Sequence, residues 1–151
     1  VLTMGATYPD YFAALIPIAA PLTVDQSGID KLKNQPMWLI HTKADATVQP
    51  ENSVLPLYKS LITSGATNKW FSYFETATGT DLPGTEYDGH WAWIYFFHDQ
   101  VIGVQHPENT KNWDGYSGMV ATDPTNGGGS RASVNGQTYN SIFDWMSAQR
   151  H

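Results

Sequence analysis

The 151-residue sequence contains no cysteine, which excludes a disulfide framework, a thiolate nucleophile and a cysteine-based zinc site. Basic residues are also scarce, because Lys and Arg together number 8 against 14 Asp and Glu, and the net charge is −6. Without a basic stripe, we expect neither a nucleic-acid partner nor a membrane partner. No apolar run in the sequence approaches the ~20 residues that a membrane-spanning helix requires.

The first residues also lack the features of a secretory signal peptide. Val1 to Met4 contain neither a basic segment nor a long apolar core, and the sequence begins with Val rather than an initiator Met. We therefore expect residues 1–151 to be part of a longer polypeptide. The hydrophobic fraction of 41%, with 13% aromatic residues, is that of a globular protein.

The stretch from Gln35 to Pro50 predicts a buried strand that is followed by a carboxylate. The run Met37 to Ile40 is apolar and follows a proline, a pattern typical of a strand buried on both faces. Asp45 comes shortly after this run, at the edge where open α/β sheets collect their functional groups. A helix cap or a solvated loop acid is the alternative interpretation of Asp45.

A histidine follows the next predicted strand along the chain. Trp70 to Phe74 reads as an aromatic strand, a polar loop separates it from Gly89 and His90, and an aromatic helix is predicted from Trp91 to Phe97. An imidazole can accept and return a proton near neutral pH, and a carboxylate such as Asp45 can orient it. For His90 on its own, a capping or core role is the alternative.

A strand with Asp, a helix, a strand and a loop with His is the order in which an α/β-hydrolase presents its acid and its base. The chain resembles the C-terminal half of an α/β-hydrolase of the secreted esterase and prolyl-oligopeptidase-like type. The resemblance rests on Y-P-D-Y-F-A-A, M-W-L-I-H-T-K-A-D-A-T-V, G-A-T-N-K-W-F-S-Y-F, G-H-W-A-W-I-Y and S-I-F-D-W-M-S-A-Q. It implies a three-layer α/β fold, Asp45 and His90 as two members of a Ser-His-Asp triad, and a secreted or periplasmic location. The chemistry of such a triad requires no cofactor and no metal.

The third member of that triad is missing from the sequence. No G-x-S-x-G nucleophile elbow occurs. The segment that best matches this motif runs from Gly115 to Met119, but its second glycine is one position early. Ser117 also follows His90, whereas the family's order is Ser, Asp, His. The resemblance places the nucleophile and the oxyanion donors upstream of Val1. We therefore expect the missing N-terminal half of the domain as a partner, and no turnover by residues 1–151 alone.

The remaining pattern predicts alternating strands and helices, which is typical of the α/β class with helices covering a mostly parallel sheet. Phe12 to Ala20 is a further strand candidate, interrupted by a proline. Glu51 to Ser64 shows one apolar helical face, with Pro56 as a possible first position. Gln137 to Gln149 predicts an amphipathic helix with its apolar side chains facing inward: Ile142, Phe143, Trp145 and Met146.

Other candidate sites are weaker. Residues 99–135 are expected to form a loop-rich insertion, within which the glycine string of residues 126–130 lacks a phosphate-loop ending and suggests flexibility. His98, Asp99 and His106 match no compact ligand spacing, so no metal site is predicted and solvated loop residues are expected. Trp91 is the best candidate to contact a substrate. His41 either lies near the site or fills space.

The sequence thus favours a serine hydrolase that acts on a small-molecule carboxylic ester. A serine peptidase of the same fold is the nearest enzymatic alternative. A non-catalytic, aromatic-rich module that binds carbohydrate or peptide is the alternative from another class. The geometry of one pair discriminates between these classes, because a binding module has no reason to bring Asp45 and His90 together.

Overall fold

The computed structural model describes residues 1–78, 82–106, 119–122 and 126–150. In chain order the elements are α1 (Leu2–Thr7), α2 (Gln26–Leu32), β1 (Met37–Thr42), a first 3₁₀ helix (Pro50–Asn52), α3 (Val54–Thr63), β2 (Lys69–Phe74), β3 (Ala77–Thr78), β4 (Glu86–Tyr87), a second 3₁₀ helix (Gly89–Trp91), α4 (Trp93–Phe97), β5 (Ser133–Val134), β6 (Gln137–Thr138) and α5 (Ile142–Ala148). Among the described residues, no helix has the length and apolar character needed to cross a bilayer.

A parallel pair of strands, β1 and β2, lies at the centre. Met37 is opposite Lys69 and Thr42 is opposite Phe74, and every residue of β1 is buried. The connection between the two strands contains α3, as a parallel pair requires a long crossover. The buried strand predicted from the apolar run Met37 to Ile40 and the aromatic strand predicted from Trp70 to Phe74 are therefore confirmed.

The segment expected as a strand from Phe12 to Ala20 lies beside β1 but forms only isolated parallel bridges. Trp38 donates its N–H to Leu15 O at 3.0 Å, and Ile40 donates to Pro17 O at 3.0 Å. Pro17 has no N–H to return, so the ladder is broken there. The candidate strand is therefore interrupted at its proline, and no regular strand forms there. The described sheets have two strands each, and the three-layer sheet stays a prediction.

Apolar side chains cover both faces of the β1–β2 pair. Successive side chains of a strand point to opposite faces, and β1 accordingly divides its residues between two clusters. Met37 and Leu39 pack with α1, α2 and α3, whereas Trp38 and Ile40 pack with α4 and α5. Each fully buried side chain of this size contributes roughly 1.5–3 kcal/mol. Burial on both faces holds the C-terminal end of β1, and the loop that follows it, in a fixed position.

Helix boundaries differ from the sequence expectation in three places. Helix α3 begins at Val54 rather than at Pro56, because its first N–H groups have no intrahelical partner and a proline at the third position loses nothing. The aromatic helix after His90 is divided into the second 3₁₀ helix and α4. The C-terminal helix begins only at Ile142, because Gln137 and Thr138 form the β5–β6 hairpin.

The inward face expected for the C-terminal helix is correct except at one residue. Ile142 and Trp145 are fully buried and Phe143 is partly buried, but Met146 is 38% exposed. The ring of Trp145 packs edge-on against Trp38 of β1 at a centroid distance of 5.5 Å. Helix α5 is therefore anchored to the central strand by two tryptophans.

The glycine string of residues 126–130 is packed against β2 rather than free, so the expected flexibility is wrong there. Gly127 is buried, and its carbonyl accepts from Tyr73 N at 2.7 Å and from Gln105 Nε2 at 2.8 Å. A Cβ at Gly128 would lie 2.5 Å from Gln105 N, so only glycine fits this close backbone approach. The loop-rich insertion over 99–135 stays a prediction, since much of that range lies outside the described residues.

Candidate active site

Asp45 lies in the turn that follows β1, and its carboxylate is held by the turn's own backbone. The residue is 2% exposed. Its Oδ1 atom accepts hydrogen bonds from Thr47 N at 2.9 Å and Val48 N at 2.8 Å. An aspartate that bonds the backbone two and three residues ahead stabilises a tight turn. The second oxygen, Oδ2, is directed away from these two amides.

The Oδ2 atom of Asp45 is 3.0 Å from Nδ1 of His90, so the structure brings the two sequence-predicted residues together across 45 positions of chain. The Asp45 side chain is fully buried, whereas the His90 side chain is 29% exposed. A carboxylate facing Nδ1 favours the tautomer that carries its proton there. The Nε2 atom, which has no hydrogen-bond partner among the described residues, is then the basic nitrogen.

Three contacts fix the backbone that carries His90. Asp88 Oδ1 accepts from His90 N at 2.8 Å and so caps the second 3₁₀ helix. Thr42, the last residue of β1, donates its hydroxyl to Gly89 O at 2.5 Å. Gly89 itself lies against the backbone of Ala44. The sequence pointed to Gly89; Asp88 was detectable as a helix N-cap, whereas no local signal identified Thr42.

His41 lies beneath the pair and is fully buried. Its Nε2 atom is 2.8 Å from Val48 O and 3.3 Å from Asp45 Oδ2. Burial lowers the pKa of His41, and the nearby Val48 carbonyl and Asp45 carboxylate offset part of that effect. Of the two readings open at the sequence level, proximity to the site is the one that the structure supports.

The aromatic residues around His90 divide into two groups. Trp91 is 43% exposed and stacks on Tyr87 and Trp93, with centroid distances of 5.6 and 6.1 Å, and Trp93 meets the His90 ring edge-on at 5.5 Å. These rings form an aromatic surface beside the imidazole. Tyr95, in contrast, is buried and stacked on a strand residue, so it belongs to the core.

The weaker candidates do not come together. His98, Asp99 and His106 are exposed, and in the described part of the chain no group of three or more His, Asp or Glu side chains is arranged to hold a metal ion. Ser117 lies outside the described residues.

Comparison with known proteins bears on the fold of the chain. Neither a family model nor a curated protein matches the sequence. Among solved structures, the chain is similar to the crystal structure of a thermostable esterase, with a TM-score of 0.54 and 28% identity. The similarity covers 66% of this chain and 24% of that chain, so the matched part is about a quarter of the esterase's length. The chain has an esterase-like hydrolase fold.

Proposed function

We propose that the chain is the C-terminal part of a serine hydrolase domain that acts on carboxylic esters. In this proposal Asp45 is the orienting acid and His90 is the general base. The observation that carries the proposal is the 3.0 Å contact between a fully buried carboxylate and a partly exposed imidazole. The similarity to an esterase supports the same reaction class.

The proposed reaction is acyl transfer in two steps. His90 Nε2 takes the proton of a serine hydroxyl while the serine oxygen bonds to the ester carbonyl carbon, and the resulting imidazolium returns that proton to the departing alcohol. Water then gives a proton to Nε2 and attacks the acyl-serine carbonyl carbon, and the imidazolium returns the proton to the serine oxygen as the bond to the serine breaks and the carboxylic acid departs. Throughout, Asp45 holds Nδ1–H and stabilises the positive charge on the ring.

The serine and the oxyanion donors would come from polypeptide upstream of Val1. Two observations support a partner segment there. The matched region is only 24% of the esterase chain. In addition, residues 15–19 bond to residues 36–40 on one side, while on the other side the described residues provide no backbone partner for Ile16 N or Ile18 N. A neighbouring strand from the upstream half would complete a three-layer domain, which we propose to be secreted or periplasmic.

The buried Asp45–His90 contact favours a hydrolase over an aromatic binding module. The turn amides satisfy one oxygen of the carboxylate, but a module that only binds carbohydrate or peptide has no need for a partly exposed imidazole at the other oxygen. Ester and amide hydrolysis use the same triad. The esterase and the peptidase are therefore distinguished by substrates that differ in their leaving group, an alcohol or an amine. We expect p-nitrophenyl esters, rather than p-nitroanilides, to be the better substrates.

The test compares the natural polypeptide that extends upstream of Val1 with residues 1–151 alone. The longer chain should hydrolyse p-nitrophenyl butyrate, and His90→Asn and Asp45→Asn should each lower kcat by about 10³–10⁴-fold. His98→Asn, an exposed histidine one helix away, is the matched control and should leave the rate unchanged. Residues 1–151 alone should show no turnover.

Two results would overturn the proposal. One is an unchanged kcat in both the His90 and Asp45 variants of an active protein. The other is saturable turnover by residues 1–151 that disappears on Ser117→Ala, which would make that serine the nucleophile.

A further inference from the structure

The carboxylate of Asp45 faces two imidazoles rather than one. Its Oδ2 atom is 3.0 Å from Nδ1 of His90 and 3.3 Å from Nε2 of His41. The His41 ring belongs to the fully buried strand β1 and is itself fully buried, whereas the His90 side chain is 29% exposed. A triad needs only one imidazole at its acid. The second ring therefore calls for an explanation of its own.

The surroundings of His41 assign its proton to Nε2. That nitrogen faces two oxygen acceptors, Val48 O at 2.8 Å and Asp45 Oδ2 at 3.3 Å. The other nitrogen, Nδ1, is buried without a hydrogen-bond partner among the described residues. An N–H at Nδ1 would be a buried unsatisfied donor, which is costly. Burial also lowers the pKa of the ring, so His41 is neutral near pH 7; the charged or titratable groups that face it are Asp45, His90 and Glu51.

We propose that His41 is a positioning residue for the Asp45–His90 pair. Its Nε2–H donates to the carbonyl of Val48, and the same nitrogen lies 3.3 Å from the Asp45 oxygen that contacts His90. Val48 N in turn donates to Asp45 Oδ1. Both the N–H and the carbonyl of Val48 are therefore hydrogen-bonded, which holds the turn from Asp45 to Val48 in place. The His41 N–H dipole close to this oxygen of Asp45, Oδ2, also offsets part of the negative charge that His90 meets. This inference rests on the proposed function, since it concerns the same pair.

The competing explanation is that residue 41 only fills space under the turn. Two variants separate the explanations, because each explanation predicts that a different one of the two disturbs the site more. His41→Gln keeps an N–H donor near the position of Nε2, whereas His41→Met keeps comparable volume and removes the donor. For a space-filling residue, Met would be the milder change, since an apolar side chain suits a buried site. For a donor, Gln would be the milder change.

The experiment follows the pH titration of the His90 ring by NMR, with histidine-selective isotope labelling of the natural polypeptide that contains residues 1–151. The chain has five histidines, so the His90 resonance can be assigned by His90→Asn. In His41→Met, the midpoint of the His90 titration should rise by roughly 0.5 pH units or more, because the carboxylate loses the N–H dipole beside it. In His41→Gln, the midpoint should stay within about 0.2 units of the wild type.

An unchanged midpoint in His41→Met would overturn the inference. So would a fall, because it would mean that loss of a space-filling ring lets Asp45 move away from His90. A further measurement needs no variant: the ¹⁵N shifts of wild-type His41 should show the Nε2–H tautomer from about pH 6 to 8, a range around the ordinary value for histidine. A proton on Nδ1 would contradict the proposed donor whether or not the variants fold.

The titration and the enzyme assay fail independently. If His41→Met shifts the His90 midpoint in a protein that hydrolyses no ester, the proposed function is wrong and the positioning role stands. The opposite case is a protein that hydrolyses esters while His41→Met changes neither the midpoint of the His90 titration nor the acid limb of the pH profile of kcat/KM. In that case the positioning role is wrong and the proposed function stands.

Discussion

The backbone of Gly89 lies directly against the backbone of Ala44, at a separation that leaves no room for a side chain. A Cβ placed on Gly89 would fall within 2.6 Å of Asp45 N and would also overlap the Ala44 carbonyl. The second 3₁₀ helix, which carries His90, can therefore reach the turn that carries Asp45 only because residue 89 has no side chain. The 3.0 Å contact of the two functional groups depends on this approach.

We expect Gly89→Ala to push the two segments apart. Overpacking of this kind typically costs about 1–3 kcal/mol of folding free energy, and the neighbouring atoms are backbone atoms that cannot rotate away. In the active polypeptide, kcat should fall by more than tenfold while the protein stays folded. Gly129→Ala is the matched control, because a Cβ there meets nothing within 4 Å. Equal activity of the two variants would show that the close approach is not needed.

The buried His41 predicts a dependence of stability on pH. Its pKa is lowered in the folded state, so below the ordinary value near 6.5 the unfolded chain binds more protons than the folded chain. The free energy of unfolding should therefore fall as the pH drops below about 6.5, by at most about 1.4 kcal/mol per pH unit from this group. Denaturant unfolding between pH 5 and 8 measures the slope.

The slope should become shallower in His41→Met, which has no titrating group at this position. The control is His98→Met, at an exposed histidine, which should keep the wild-type slope. Identical slopes for wild type and His41→Met would mean that the ring of His41 is protonated as easily in the folded chain as in the unfolded chain.

We expect Trp91 to contribute to substrate binding at the aromatic surface beside His90. It is 43% exposed, so its removal should change the free energy of unfolding by less than about 1 kcal/mol. If the ring contacts substrate, Trp91→Ala should raise KM for an ester with a large aromatic acyl group by about tenfold, which corresponds to roughly 1.4 kcal/mol. Phe97→Ala, at a residue that is 74% exposed on α4, is the control. Equal KM values for Trp91→Ala and wild type would remove Trp91 from the substrate site.

The open edge at residues 14–18 predicts the behaviour of residues 1–151 when they are produced alone. Ile16 N and Ile18 N have no backbone partner in the described part of the chain, and an edge with such groups pairs with other chains. Whole domains are stable by only ~5–15 kcal/mol, so loss of a neighbouring strand removes much of the margin. We expect aggregated or molten material in size-exclusion chromatography and thermal melts, and rescue by co-expression of the upstream half.

A control identifies the edge as the source of this aggregation. Phe97→Ser removes the most exposed phenylalanine of the described surface and should not restore solubility. A monodisperse monomer of residues 1–151 with a sharp cooperative melt would count against the half-domain and would favour a self-contained binding module.

Local patterns in the sequence determined a large part of this fold. The apolar run of β1, the aromatic run of β2 and the one-sided apolar helix α3 are each readable within 6 to 10 consecutive residues, because burial and backbone propensity act over that distance. The order of the strands also pointed to Asp45 and His90 as a pair, since polar groups that follow parallel strands meet at one edge of a sheet.

Only the tertiary structure decided the contacts of several buried polar side chains. Lys69 reads as a polar strand residue, yet it is 2% exposed and its ammonium donates to Lys33 O at 2.9 Å and Thr67 O at 3.0 Å, while burial lowers its pKa to about 8. The hydroxyl of Thr42 bonds a carbonyl 47 residues away. Such contacts depend on the paths of the loops between the elements, which no local pattern specifies. The two rings at Asp45 Oδ2 illustrate the division: the sequence by itself pointed to His90, and the packing of β1 under its own turn added His41.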